Sequence, residues 1–493
     1  MTGPHLTPII GVSIDLRSGE SNEGESVSDN HQQRRPPNIV FIMSDDHAAH
    51  AISAYGSRVN ETPQIDRIAA AGARLDNCFC ANSICAPSRA TILTGQHSHI
   101  NGVLTLDDDI DNRRDNVAKQ LQQSGYQTAI LGKWHLGHGG IHDPSGFDRW
   151  CVLPGQGDYV DPEFHDQGEL RQIEGYVTDI ITDLSLDWLR ARDRDRPFML
   201  MLHHKAPHRP WIPDQKHMAM YEEDIPLAPT FDDDYSQRAQ AAANATMRID
   251  RDLTHVDLKA DPPPGLAPRD EKVWKYQRYM QDYLRCIASV DDNVGRLLDA
   301  LDEDGIADDT VVIYTSDQGF FLGDHGWYDK RFMYEESLRM PFLVCYPREI
   351  APGTVVDAMA SNVDLAQTFL DYAGLSAPTE MQGSSLRPIF NGSTPDSWQT
   401  SIYYRYWMHL AQHGVAAHYG VRTRRHKLIY YYGEALNTTG SVDDPRQPEW
   451  ELFDLETDPM ELHNVYDDPD YDDIVAALKA ELARLQERVG DRP

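Results

Sequence analysis

The stretch Pro36-Pro-Asn-Ile-Val-Phe-Ile-Met-Ser-Asp-Asp-His47 carries an unbroken apolar run, Ile39–Met43, almost straight into two carboxylates. A short continuous run of this kind predicts a strand buried on both faces, as in a parallel sheet. The same pattern recurs at 128–135 (TAILGKWH), 198–204 (FMLMLHH), 310–319 (TVVIYTSDQG) and 342–347 (FLVCYP), with helical periodicity between some of them, as in Val290–Leu301. Strands alternating with helices predict an α/β fold whose large, mostly parallel mixed sheet is covered by helices on both faces. Polar residues collect just past the strand ends: Asp45 and Asp46, Lys133 and His135, His204 to His208, Asp317 and Gln318. Open α/β sheets bind their ligands at that edge.

Outward from these strands, the 493 residues exceed the roughly 250–300 at which a single core stops growing. Residues 1–35 are polar after a short, Pro-interrupted apolar start without a basic region, and they read as a disordered tail rather than a signal peptide. The catalytic domain is expected over 36–385, with the acidic, Pro-broken stretch 213–270 as a surface insertion. Gly, Ser and Pro accumulate around Pro378–Asp396 and mark a junction. Beyond it, 386–493 reads as a smaller α+β domain. Alternating aromatic strands (SIYYRYW, GVRTRRHKLIYYY, WELFDLETDP) predict an antiparallel sheet, and Val475, Leu478, Leu482, Leu485 and Val489 form the docking stripe of a final helix.

Composition narrows the partners. The formal charge is −33, from 45 Lys+Arg against 78 Asp+Glu. Such a surface repels nucleic acid and anionic lipid. No run approaches the ~18 apolar residues of a membrane span, so neither nucleic acid nor membrane is an expected partner, and a cytoplasmic location is expected. Six cysteines, without a CxxC or Cys/His spacing, build neither a disulfide framework nor a zinc site.

The chemistry concentrates in Cys85-Ala-Pro-Ser-Arg-Ala-Thr-Ile-Leu-Thr-Gly95. Pro87 and Ser88 suit a first helical turn, which places Cys85 and Arg89 beside free N–H groups and the positive end of the helix dipole, a natural oxyanion seat. A hard divalent cation is a matching partner, and it takes oxygen ligands of the kind offered by Asp45, Asp46, Asp317 and Gln318.

The pattern C-x-P-S-R-x-x-x-L-T-G resembles the signature of the type I sulfatases, members of the alkaline phosphatase superfamily, and the resemblance extends over about residues 36–480. It implies that a separate formylglycine-generating enzyme oxidises Cys85 to formylglycine (3-oxoalanine), whose hydrate is the nucleophile. It implies calcium held by Asp45, Asp46, Asp317, Gln318 and the modified residue 85, although Asn or His is commoner in the family where Gln318 stands. Lys133-Trp-His135, Lys205-Ala-Pro-His208 and Lys330 resemble further family elements. Arg89, Lys133 and Lys330 are then sulfate ligands, His135 orients or deprotonates the nucleophile, and His208 acts near the leaving oxygen. Thr315–Glu335 and PGQGDY (154–159) are similar to carbohydrate sulfatases that include N-acetylglucosamine-6-sulfatases. Gln156 takes the place of a typical family serine. Asp324, His325 and Trp327 are candidate sugar-binding residues, as are His413 and His418 before GVRT.

The expected activity is hydrolysis of sulfate esters of a sugar, with small or end-exposed esters favoured because the acidic surface repels sulfated polymers. Two alternatives stay open: a phosphonate monoester or phosphodiester hydrolase using the same modified cysteine, and a silent anion- or sugar-binding scaffold in which Cys85 is never oxidised.

Overall fold

Ile39–Met43 is wholly buried in β1 (Asn38–Ser44), an inner strand of a ten-stranded sheet. The computed structural model describes residues 35–492, so the tail read over 1–35 lies, apart from Arg35, outside the described residues. The other strands of this sheet are β2 (Ala73–Leu75), β3 (Gln127–Lys133), β4 (Arg149–Leu153), β5 (Glu163–Asp166), β6 (Glu169–Gln172), β7 (Phe198–His203), β8 (Thr310–Ser316), β9 (Phe342–Cys345) and β10 (Thr354–Val356). Their spatial order is β10-β2-β9-β8-β1-β7-β3-β4-β5-β6. The five middle strands β8-β1-β7-β3-β4 are parallel. Antiparallel pairings flank them, at β9 on one side and through β5 and β6 on the other. The strand read at 342–347 thus belongs to the sheet but runs against its neighbours.

The main helices are α1 (Pro63–Ala71), α2 (Cys85–Thr94), α3 (Val117–Gln123), α4 (Val177–Ala191), α5 (Pro268–Glu303), α6 (Leu365–Tyr372) and α7 (Asp472–Val489). They pack in two groups on the sheet, with α1 and α4 against α5, and α2 and α3 against α6. The periodic segment Val290–Leu301 is the last third of α5, a helix of 36 residues.

The C-terminal sheet has the order β11 (Ser401–Tyr406), β12 (His418–Thr423), β13 (His426–Tyr431) and β14 (Glu449–Asp454), antiparallel throughout. The single aromatic run read over 420–432 folds back at Arg424 and Arg425, so it supplies two strands. Leu478, Leu482, Leu485 and Val489 of α7 pack on Tyr403, Val421, Leu428 and Leu452, as the stripe requires, with Val475 at its edge. Residues 36–492 form one compact unit.

The stretch 213–270 is not the surface insertion its composition suggests. Phe231, Tyr235, Ala239, Ala242, Met247 and Ile249 belong to the main core. Ala239 N donates to Glu451 Oε1 of β14, and Thr246 N donates to the His413 carbonyl. The side chains of Asp233 and Asp257 are buried in ion pairs with Arg238 and Arg209, and the apolar residues wedge toward the C-terminal sheet, so mean polarity hides a packed segment.

The parallel strands end together, and this convergence builds the site. Gly132 lets it happen: its φ is +107°, and a Cβ there would lie 2.0 Å from the His203 carbonyl on β7. Gly132→Ala is expected to destabilise the fold by about 1–3 kcal/mol through overpacking and to displace Lys133. A lower denaturation midpoint with reduced turnover checks this; wild-type values for both would show that the strands separate without cost.

Candidate active site

Asp45 and Asp46 follow β1, Lys133 ends β3, His208 lies beyond β7, and Asp317 and Gln318 follow β8. Oxygen atoms of Asp45, Asp46 and Asp317 lie within 4.8 Å of one another, all buried. Helix α2 starts at Cys85, buries all ten of its residues, and ends on left-handed Gly95. Its first turn brings Cys85 Sγ to 3.5 Å from Asp45 Oδ1. Ser88 Oγ donates to the Asp317 carbonyl and accepts from Asn362 Nδ2, which fixes the helix against β8.

Arg89 ties the cluster together. Its Nη2 reaches Asp45 Oδ2 at 2.8 Å and Asp317 Oδ2 at 3.0 Å, its Nε donates to Asp317 at 3.1 Å, and its Nη1 donates to the Lys133 carbonyl at 2.9 Å. Lys133 Nζ lies 2.5 Å from Asp45 Oδ2 and 2.6 Å from Gln156 Oε1. Lys330 Nζ donates to both Asp46 oxygens, at 2.7 and 2.8 Å. Gln318 Nε2 donates to Asp46 Oδ1 at 2.6 Å, whereas its Oε1 is buried without a partner.

Burial and mutual repulsion spread the acidities of the three carboxyls. Burial opposes ionisation of Asp45, but Lys133, His208 and Arg89 outweigh it and hold the group well below the carboxylate range. Burial raises Asp46 to about 6 and Asp317 to about 7, with the charge of Asp45 adding to both. Burial, then Asp45, pushes the Cys85 thiol up to about 12. Three carboxyls and an orphaned amide oxygen form a donor set that fits a hard cation, which would let all three ionise together.

His208 donates from Nδ1 to the Arg209 carbonyl at 2.7 Å, which leaves Nε2 facing Asp46 Oδ2 at 3.8 Å and close to Cys85 Sγ. Burial and the neighbouring Lys133 keep its pKa well below that of a free histidine. His135 is held down by the same two causes, and its buried Nδ1 has no partner. All six expected catalytic residues and the expected cation ligands therefore meet at one place.

The expected sugar-binding residues divide. Gln156 is in the site through Lys133. His413 reaches it indirectly, since its Nε2 lies 3.2 Å from Asp329 Oδ2 beside Lys330. Trp327 offers no platform: Tyr235 and Phe332 stack against it at 5.3 and 4.9 Å, and it is 0% exposed. His325 is likewise enclosed, 2.9 Å from Asp233, and Asp324 pairs with His50 at 3.1 Å. His418 accepts from Met333 N and donates to the Ala416 carbonyl in the interior. None of these four reaches the site: the loop between Gln318 and Lys330 folds inward rather than over it, and His418 is buried at the start of β12.

Composition and motif gave no signal for Asp329 or Arg331, and Lys205 entered only as the first residue of the element that carries His208. Arg331 is buried, contacts Asp329 Oδ1 at 3.5 Å and Gln412 Oε1 at 3.2 Å, and keeps Nε and Nη1 unpartnered. Lys205 donates to the Gln156 carbonyl at 3.1 Å, and burial with Lys133 nearby lowers it to about 7. Asp46, His135, Asp329, Arg331 and His413 all have positive φ. Such backbone costs on the order of 1–3 kcal/mol per residue and gathers at functional sites.

Arg89→Ala leaves Asp45 and Asp317 without their shared cation, so a loss of about 3–5 kcal/mol of stability is expected. Arg89→Lys should recover little, because one ammonium cannot reach both carboxylates and the Lys133 carbonyl. Urea unfolding of both variants checks this, and a fully rescued lysine variant would show that charge alone suffices.

Comparison with known proteins agrees with this geometry. The sulfatase family model matches residues 37–375, and a model described as the C-terminal part of N-sulphoglucosamine sulphohydrolase matches 323–488. An N-acetylglucosamine-6-O-sulfatase of Bacteroides thetaiotaomicron is 41% identical over 92% of this chain and 86% of its own. A solved structure in complex with its substrate D-glucosamine-2-N,6-O-disulfate superposes with a TM-score of 0.86 at 40% identity, covering 93% of this chain and 99% of the other. The phosphonate monoester hydrolase of Agrobacterium radiobacter has a TM-score of 0.70 at 21% identity, covering 92% of this chain and 96% of its own, and shares the fold. With the signature on α2 and the cations and carboxylates gathered around it, the chain belongs to the sulfatase family.

Proposed function

We propose that this sulfatase hydrolyses the sulfate ester of a glucosamine-based sugar, with calcium and a formylglycine made from Cys85. The observation that carries the sugar reading is the group beside Lys330. Buried Arg331 keeps two N–H donors free, while Asp329 and His413 stand next to it as further hydrogen-bonding groups. Hydroxyls next to a sulfate ester need such donors and acceptors. The glucosamine assignment follows the relatives at 41% and 40% identity.

Asp45, Asp46, Asp317 and Gln318 would hold the calcium, which supplies positive charge to the sulfate oxygens. Oxidation of Cys85 by a formylglycine-generating enzyme supplies a hydroxyl nucleophile in place of a thiol whose pKa of about 12 leaves it un-ionised. The remaining work belongs to the chain. Arg89, Lys133 and Lys330 present fixed positive charge where sulfate charge develops, in a water-poor setting that strengthens it. Gln156 holds Lys133 Nζ, and Lys205 holds the Gln156 backbone. Neutral His208 offers Nε2 as a proton acceptor near position 85. Bound sulfate raises its basicity, so the same nitrogen can carry a proton to the leaving alcohol. His135 is a second proton acceptor beside Lys133.

Cys85→Ala and Lys330→Ala are each expected to lower kcat by roughly 100-fold or more while leaving the circular dichroism unchanged; a near wild-type rate in either variant would remove that residue from the mechanism. Peptide mass analysis of protein from its native host should find the aldehyde at position 85, and an unmodified thiol there would favour the silent scaffold.

EGTA should inhibit slowly and calcium should restore turnover. Rescue by zinc alone would point to a different metal chemistry. On a panel of sulfated monosaccharides, N-acetylglucosamine 6-sulfate should be cleaved with the highest kcat/KM. A higher value for phenyl phosphonate would overturn the assignment in favour of phosphonate hydrolysis.

A further inference from the structure

A second cavity, of about 420 Å³, lies between residues 49–59, helix α5 and the segment 322–339. Its volume is within the roughly 300–1,000 Å³ of small-molecule sites. None of the catalytic residues or cation ligands lines it; its wall includes His50, Arg58, Asp324, Glu335, Glu336 and Arg339. Two ion pairs account for part of the charge: His50 with Asp324 at 3.1 Å, and Glu335 with Arg422 at 2.9 Å. Three groups are left over. No carboxylate among the described residues lies within ion-pair distance of the Arg58 or Arg339 guanidinium, and the buried Oε2 of Glu336 accepts no hydrogen bond. That oxygen lies 3.9 Å from His325 Nε2, itself without a hydrogen-bond partner.

Arg58 and Arg339 therefore present to the cavity guanidinium groups that no carboxylate of the described residues occupies. Arginine forks match planar oxyanions and bind them by paired, charge-assisted hydrogen bonds. Glu336 does not cancel this preference. Burial, followed by the charges of Asp324 and Glu461, pushes its carboxyl well above the usual range, which favours the protonated form that can donate as well as accept. The wall therefore offers two cations, one polar carboxyl group, and an apolar side from Leu227, Met280 and Leu322. A ligand matching it carries an oxyanion, hydroxyls and an apolar ring face.

We propose that this cavity is a second binding site, separate from the catalytic centre, for a saccharide bearing a carboxylate or sulfate group, with Arg58 and Arg339 on the anion and Glu336 on a hydroxyl. The site holds its ligand without turning it over, and it gives a highly acidic protein a purchase on an acidic sugar chain.

Calorimetry with glucuronate, N-acetylglucosamine 6-sulfate and neutral N-acetylglucosamine tests this on the full chain, with turnover of 4-nitrophenyl sulfate read in parallel. A Cys85→Ala background prevents cleavage of the sulfated sugar. Glucuronate should bind, and Arg58→Ala/Arg339→Ala should weaken it by about tenfold or more while aryl sulfate turnover stays unchanged in the otherwise unmodified chain. Arg58 is exposed, so Arg58→Glu gives the same reading without a risk to folding. A preference for the sulfated sugar that is lost in the arginine variants would identify sulfate as the anion. Binding of glucuronate that survives the substitutions, equal binding of the neutral sugar, or no binding of either anion beyond the catalytic site would overturn the proposal. Because turnover is measured separately, failure of this site is distinguishable from failure of the sulfatase reading.

Discussion

Three buried carboxyls in one pocket impose the constraint on which the rest of the structure depends. Asp45, Asp46 and Asp317 sit with oxygens within 4.8 Å of one another, where solvent cannot screen them. The protein answers with cations on three different elements: Arg89 on α2, Lys133 at the end of β3, and Lys330 on the loop after β8. Each cation fixes one element against the others, so the charge balance is also the tertiary scaffold. Removing one partner of such a buried set strands the other charge, and this penalty, rather than net attraction, makes the arrangement specific.

The same constraint explains where backbone strain accumulates. Asp46 turns out of β1 with φ of +69°, and Asp329 and Arg331 flank Lys330 at +80° and +95°. These residues aim charged side chains from short turns, and a relaxed backbone would point them elsewhere. The cost is offset by close packing nearby. Gly319, for instance, leaves no room for a Cβ, which would lie 2.1 Å from the Glu336 carbonyl. Strain and close packing are thus two sides of one device, since only a rigid surround can hold an unfavourable turn.

Charge distribution separates the surface from the interior. With 78 Asp+Glu against 45 Lys+Arg, the formal charge of −33 disfavours contact with nucleic acid and anionic lipid. Cations are withdrawn to the centre, where two of the ten lysines, Lys133 and Lys330, pair with Asp45 and Asp46, and Lys205 braces the loop that carries Gln156. No helix among the described residues is long and apolar enough to cross a membrane.

The sequence by itself determined the strands of the parallel core, the helix that starts at Cys85, and the set of side chains that meet around it. Each of these is written locally: an apolar run specifies a buried strand, and a strand end in an open α/β sheet specifies where polar groups gather. Tertiary structure decided what local pattern could not carry. Trp327 looked available beside two functional residues, yet Tyr235 and Phe332 enclose it, and the Tyr235 contact depends on how 213–270 packs. That stretch read as surface because most of its residues are polar, while a minority of apolar ones, Phe231, Tyr235 and Met247 among them, fix its place. Arg331 and Asp329 gave no signal because an arginine and an aspartate are ordinary surface residues until the chain around them removes the water. Burial is what gives such groups the chance to hold a ligand, and it is set by contacts between residues far apart in the chain.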